Sequence, residues 1–403
     1  MTLTVGDSSG LGPSLVVITR GLRCIYKRGL LFGLCVLPAS VAPYTDCVEL
    51  DKILTHLSMA ISSAPPRRSS VGSQAPKTTY VPNLQPKSIA AVSKRAVVIL
   101  LQRLQIDVPQ YTRDSELERD AVNVIREWGP DVSARLRKYL PPAIILTTTC
   151  YRHIADHDTK LLIVLFSALV ISLDDPEIFD ASGCRDLHKR LCNGEFHRVR
   201  RGGGGVLGML MDVLSGMDHA YPAFPSSAII SAVLGFVNGC VLEQMELDST
   251  GTAVAHCLDA LPFLAYRRSM SGLADAFSYF IWTKMDYPDV ARYLQAIPDI
   301  SCFQNHANDV LSFYKEELAG ETGNYVSDRA RACGKSREAT LLEIVDETVM
   351  LVTRIRRILG DGPVRDAWES FAEGWLAFHV CSPRYKLREL INCEYVVVGD
   401  LGI

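Results

Sequence analysis

The chain has 403 residues, 48% of them apolar, with 42 Lys and Arg against 45 Asp and Glu for a formal net charge of −3. That balance leaves no basic footprint of the kind nucleic-acid binders carry, so nucleic acid is not expected as a partner. Twelve cysteines are spread along the chain without a CxxC pair or a zinc-finger histidine spacing, and they read as reduced thiols of a cytoplasmic protein rather than as a disulfide framework.

In chain order, the first apolar stretch is Gly29 to Ala42, preceded by Arg20, Arg23, Lys27 and Arg28. It is too short to span a bilayer, which takes about 20 apolar residues. It also contains Gly33 and Pro38, and a secretory signal would begin nearer Met1. No stable membrane span is expected. Ser62 to Ser88 is rich in Pro and Ser, with too few large apolar side chains to offset the entropy of ordering it. Residues 1–88 therefore read as a poorly ordered extension that ends in a linker.

From Ile89 onward, apolar residues recur at three- and four-residue spacing, as in IAAVSKRAVVILLQRLQ and in the segment beginning at Thr340, which predicts amphipathic helices. Strand and hairpin signals are nearly absent, so an all-α domain is expected over 89–403. His153 and His157 are four apart with no HExxH glutamate between them and read as a solvent-facing pair. The Gly202 to Gly205 run lacks the preceding strand and the Gly-Lys-Ser/Thr ending of a phosphate loop, so a flexible loop between helices is expected there.

Two acidic segments stand out. A nearly continuous apolar helix from Lys160 ends in Asp174, Asp175, Glu177 and Asp180. Paired carboxylates at a helix C-terminus repel its dipole and each other unless a cation binds, and hard oxygen ligands suit magnesium. The alternative is that Asp174 and Asp175 only mark the helix end, with Pro176 as breaker. The second segment is NDVLSFYKEE from Asn308. Asn308, Ser312 and Glu316 drift only about 40° per step around a helix at about 100° per residue, so an amide, a hydroxyl and a carboxylate line one stripe. Lys315 falls beside it and can reach a phosphate. Asp309 points elsewhere, into a salt bridge or a supporting role. A capped, solvated polar face remains the alternative.

Together these residues resemble the class I terpene synthases, and within them the fungal trichodiene synthase family. Asp174-Asp175 is similar to the aspartate-rich motif, and Asn308, Ser312 and Glu316 with Lys315 are similar to the NSE motif. Arg267-Arg268-Ser-Met-Ser271-Gly272 resembles the diphosphate-sensor segment, with Arg268 as sensor and Ser271-Gly272 at a helix break. HVCSPRYKLREL from His379 resembles the closing segment, whose Arg384-Tyr385 pair binds diphosphate. The resemblance covers residues 90 to 395. It departs from the family at Ile178, where a third acid is usual, with Glu177 and Asp180 nearby as substitutes.

The resemblance implies a single helical terpenoid synthase bundle in which Asp174, Asp175, Asn308, Ser312 and Glu316 bind magnesium, three ions with diphosphate bound. Catalytic roles fall to Asp174, Asn308, Ser312, Glu316 and Arg268. Arg268, Lys315, Arg384 and Tyr385 bind the substrate, a prenyl diphosphate, and farnesyl diphosphate leading to a cyclic sesquiterpene is the implied reaction; geranyl diphosphate and a homodimer stay open. An allylic cation needs an apolar cavity with aromatic faces. Phe166, Phe277, Tyr279, Phe280, Trp282 and Phe303 are candidates, although aromatics at helical spacing usually pack in the core and that is the favoured role for each. Two rivals stand beside this reading: a chain-elongating prenyltransferase, which would carry a second aspartate-rich motif, and a non-catalytic helical protein of the same fold.

Overall fold

The computed structural model describes residues 86–401, except 107, 199–203, 249–257, 322, 397, 399 and 400. The apolar stretch at Gly29 to Ala42 and nearly all of the Pro/Ser-rich tract lie outside the described residues. The first helix, α1 (Pro86–Leu104), begins three residues before the expected boundary, with proline at the first position, where its missing N–H leaves no bond unmade.

The principal helices continue with α2 (Ser115–Glu127), α3 (Leu140–Cys150), α4 (His157–Leu173), the short α5 (Pro176–Ala181) and α6 (Gly205–Ser215). They are followed by α7 (Ala223–Asp248), α8 (Leu261–Ser271), the short α9 (Ala274–Tyr279) and α10 (Ile297–Ala319). The chain closes with α11 (Tyr325–Cys333), α12 (Arg337–Leu359) and α13 (Pro363–Cys381). No strand occurs among the described residues. The Gly run lies partly outside them; Gly204, left-handed at φ 96°, stands at the N-terminus of α6, in keeping with the expected inter-helix loop.

The bundle is assembled by apolar stripes meeting in pairs: α10 packs on α12, α1 and α9, while α3 packs on α13 and α4. α4 buries almost every residue from Ile163 to Leu173, which explains why its sequence is apolar all round rather than amphipathic. Its start is fixed by Asp156, whose carboxylate accepts from Thr159 N at 2.8 Å. α3 and α13 approach so closely that a Cβ on Gly374 would lie 2.1 Å from the Thr149 carbonyl oxygen. Among the described residues, α7 from Ala223 to Met245 is long and apolar enough to cross a membrane by length and composition, with 44% of that window buried. Ile229, Val233, Phe236 and Val237 are among its buried residues, whereas Phe224, Ile230 and Leu234 are exposed, and the helix packs against α8 and α9.

One expectation is corrected. His153 lies in a turn after α3 and His157 opens α4, so the two do not share a helical face. His153 Nε2 is 2.9 Å from the Ile281 carbonyl, and His157 Nε2 is 3.1 Å from Asp120 Oδ2. Both are held by protein partners instead of facing solvent as a pair.

Candidate active site

The end of α4 separates its two aspartates. Asp174 is the last, C-capping residue of α4, whereas Asp175 accepts from Glu177 N at 3.0 Å and caps the next helix, α5. Lys138 Nζ at 2.9 Å and Tyr139 Oη at 2.7 Å donate to the same carboxylate of Asp175. Those two hydrogen bonds hold its pKa down to about 2. The mutual repulsion expected of the pair is thus relieved by a helix N-terminus and a lysine, and Asp175 is committed to structure. Asp174 carries no such partner set. Its side chain opens to a concave mouth whose walls strip away enough water to raise its pKa, while Arg384 and Lys315 pull the other way.

A cavity of about 150 Å³ begins at Asp174 and is walled by Ser271, Gly272, Phe277, Trp375, Phe378, Arg384 and Tyr385, among others. A wider mouth outside it shares Pro142, Ile171, Asp174 and Arg384 and adds Lys138, Tyr139, Asp175 and Glu177. Of the six aromatic candidates, Phe277 lines this cavity. Phe166 and Phe280 pack edge to face at 5.0 Å in the core. Trp282 stacks on Tyr293 at 4.4 Å and donates to the Val364 carbonyl, and Phe303 packs on Trp368. Tyr279 lines a separate groove beside α7. The cavity's other aromatics, Trp375 and Phe378, went unnoticed in the sequence. They sit three residues apart on α13, one face of a helix, directly ahead of the closing segment that was noticed.

The sensor segment breaks where expected: α8 ends at Ser271, Gly272 follows, and Leu273 adopts a left-handed conformation at φ 50° before α9. Arg268 reaches across the gap to α10 and keeps one Nη1 hydrogen uncommitted in these bonds. Its Nε donates to Asp309 Oδ1 at 2.8 Å, Nη1 to Ser271 Oγ at 3.1 Å, and Nη2 to Asn305 O and Asn308 Oδ1 at 3.2 and 3.1 Å. Asp309 therefore makes the salt bridge anticipated for it. Burial raises its carboxyl to about 6 despite Arg268, with Glu316 pushing in the same direction.

α10 holds the three-residue stripe. Asn308 is pinned between Arg268 and His379, whose Nε2 lies 3.0 Å from Asn308 Nδ2. Ser312 is buried and its Oγ has no hydrogen-bond partner. Glu316, half-buried, is flanked by Lys315 Nζ at 3.5 Å, and Lys315 also meets Glu321 at 3.3 Å. Lys315 acts electrostatically on Asp174, and both Glu316 and Asp174 act on the buried Tyr385 hydroxyl. The structure thus gathers Asp174, Arg268, Asn308, Ser312, Lys315, Glu316, Arg384 and Tyr385 into one neighbourhood, with Asp175 turned aside. Ile178, at the position of the missing third acid, is on the buried face of α5, whereas Glu177 is exposed at the mouth and Asp180 pairs with Arg185.

Among the described residues no three His, Cys, Asp or Glu side chains converge as a metal cluster. The donors available are of a different kind: an amide oxygen, a hydroxyl and two carboxylates, all hard oxygens. A buried hydroxyl without a partner costs free energy unless something completes its bonding. The Ser312 oxygen between Asn308 and Glu316 accordingly fits a divalent cation with oxygen preference.

The profile of the trichodiene synthase family matches residues 143–396. Monoterpene synthase 25 of Postia placenta is 40% identical over 310 residues, covering 77% of this chain and 90% of that protein. Terpene synthase 29 of the same fungus is 36% identical over 89% of this chain and 96% of that protein, and the alpha-cuprenene synthase of Coprinopsis cinerea is 28% identical over 74% and 90%. The fold is shared with the linalool/nerolidol synthase of Streptomyces clavuligerus, at a TM-score of 0.52 and 13% identity, over 68% of this chain and 99% of that one. The chain is a terpene synthase and belongs to the trichodiene synthase family.

Proposed function

We propose that this terpene synthase is a magnesium-dependent cyclase that ionises farnesyl diphosphate and closes the allylic cation into a sesquiterpene, working in the cytoplasm. The observation that carries the reading is the stripe on α10, with a buried and unpartnered Ser312 Oγ between Asn308 and Glu316. Those three residues, with Asp174 opposite, would hold magnesium, whose charge supplies stabilisation of the departing diphosphate.

The chain's own groups do the rest. Arg384 at the mouth, Lys315 beside the stripe, Arg268 and the Tyr385 hydroxyl donate charge-assisted or neutral hydrogen bonds to the phosphate oxygens. Phe277, Trp375 and Phe378 wall the cavity behind Asp174. They offer π faces to positive charge and no nucleophile to trap it. Excluding water from that space decides whether the product is a cyclised hydrocarbon or an alcohol.

Geranyl diphosphate is a second reading of the substrate, favoured by the 40% identical monoterpene synthase of Postia placenta. Both are tested by incubating purified protein with each diphosphate, with and without magnesium, and analysing volatiles by gas chromatography. A cyclic C15 hydrocarbon formed only with magnesium supports the first reading. A C10 product alone selects the second. No volatile product from either substrate, with the fold intact, overturns both.

A further inference from the structure

We infer that His379 is a positioning residue for Asn308: its imidazole fixes which end of the Asn308 amide faces the proposed cation site. The inference rests on the reading of Asn308 as a magnesium ligand given above. An asparagine amide has two ends of nearly equal size, and only the oxygen can ligate a hard cation. A rotation of the amide by half a turn would present an NH2 group and remove the ligand without moving any backbone.

The hydrogen-bond network forbids that rotation. His379 is fully buried on α13, and its Nδ1 lies 2.7 Å from the carbonyl oxygen of Trp375, one turn earlier in the same helix. A carbonyl can only accept, so Nδ1 carries the hydrogen, and Nε2 of the neutral ring is left with a lone pair. Asn308 Nδ2, 3.0 Å from Nε2, must then be the donor. The amide oxygen is turned to the opposite side, where Arg268 Nη2 at 3.1 Å also demands an acceptor. Two independent partners thus require the same orientation.

The imidazole is itself held in place. Its ring packs against Trp375 at 5.0 Å, Phe378 at 5.1 Å and Tyr385 at 4.4 Å between centroids. Tyr385 belongs to the segment proposed to bind diphosphate, so one ring touches both a proposed metal ligand and a proposed phosphate donor. Outer-shell groups of this kind typically change metal affinity or activity by about 10–100-fold when removed.

Three substitutions separate positioning from packing. His379→Leu fills space but offers no acceptor, and the side chain of His379→Asn is too short to reach Asn308. His379→Gln can present an amide oxygen near the former Nε2. The NH2 of His379→Asn sits near the former Nδ1 and can keep the bond to the Trp375 carbonyl, so this variant isolates the Asn308 side. The readout is the magnesium concentration at half-maximal thermal stabilisation in the presence of inorganic diphosphate, with the melting temperature of each ligand-free variant measured first, and kcat and KM alongside.

The expected result is a midpoint raised by about 10–100-fold in the Leu and Asn variants and recovery to within a few-fold in the Gln variant. A folded Leu or Asn variant with an unchanged midpoint overturns the inference, as does a folded Gln variant no better than Asn. If Leu does not fold, the Gln and Asn pair decides. Asn308→Ala is measured in parallel. If it leaves the midpoint unchanged, the metal reading itself fails, whereas a raised midpoint there with an unchanged one in His379→Leu removes only the role of His379.

Discussion

Gly272, just past the end of α8, lies close against Asn305 of α10, and replacing it by alanine tests whether that approach matters. Its φ of −105° is open to any residue, so the demand for glycine is spatial. A Cβ there would lie 2.5 Å from Asn305 Oδ1 and 3.0 Å from Arg268 Nη1, where ordinary contact begins at 3.4 Å. The buried Asn305 side chain must retreat by about 0.9 Å and the guanidinium by about 0.4 Å, or the helices must part by comparable amounts. The guanidinium cannot yield freely, because Asp309, Ser271 and Asn308 hold it at 2.8 to 3.1 Å.

Overpacking of this kind costs about 1–3 kcal/mol of stability, a fall of a few degrees in Tm for a chain of this size. Displacement of catalytic groups by about 1 Å costs up to about 100-fold in rate. We therefore expect Gly272→Ala to fold with a slightly lowered Tm and to lose about 10–100-fold in kcat/KM, measured as diphosphate release. Gly235→Ala is the control: its Cβ would meet nothing within 4 Å on α7, and the removal of helical glycine is worth up to about 1 kcal/mol in its favour. A Gly272→Ala enzyme within twofold of the wild-type rate would refute the argument that the close contact sets the position of Arg268.

Gly374→Ala should act on stability instead, because its Cβ would meet backbone atoms of Thr149 and Cys150 at 2.1 to 2.5 Å; a loss of at least about 3 kcal/mol in urea titration is expected, or no folded protein. Asp174→Asn should cost more than about 100-fold in diphosphate release, while Asp175→Asn, which weakens a helix cap and an exposed ion pair, should cost less than about tenfold; equal losses would restore Asp175 to the chemistry. Stability should fall on acidification. Burial, aided by nearby arginines, holds His306 and His379 at about 4, below the ordinary 6.5, so each contributes stability fully present above pH 6.5 and lost as pH falls toward 4. The slope is about 1.4 kcal/mol per pH unit for each. Asp309, raised to about 6, takes up its proton in the folded protein first and offsets one histidine below pH 6. His306→Gln should flatten the slope seen by urea titration between pH 6.5 and 5, and an unchanged slope would exclude His306 as its source.

The helical class was legible because α1 and α12 announce themselves by period and α4 by its long apolar run, and the stripe of Asn308, Ser312 and Glu316 follows from helix geometry alone. The relation between elements was not legible. Nothing in the spacing of Asp174 and Asp175 tells that the chain turns between them, so that one ends α4 while the other caps α5 and pairs with Lys138, 37 residues earlier. Core packing, the role favoured for each aromatic candidate, holds for four of the six, but the sequence could not tell which would be the exceptions. Phe166, Phe280, Trp282 and Phe303 lie on the right helices but face the packed interior, and only contacts across elements distinguish a core face from a cavity wall. His379 stood at the head of a motif that had been noticed, but its role depends on a carbonyl of its own helix and an amide on another.

These relations give the site two halves of unequal order. On the α10 side, Arg268, Asp309, Asn308 and His379 form a continuous hydrogen-bonded network, with Asp309 and His379 buried. Such a network resists rearrangement, because any broken bond leaves a polar group without water. On the α4 side, Asp174 stands at an open mouth with Arg384 exposed beside it. The side chains whose orientation the fold already fixes are therefore those around the stripe, and the freedom that remains lies at the mouth, beside Asp174 and Arg384.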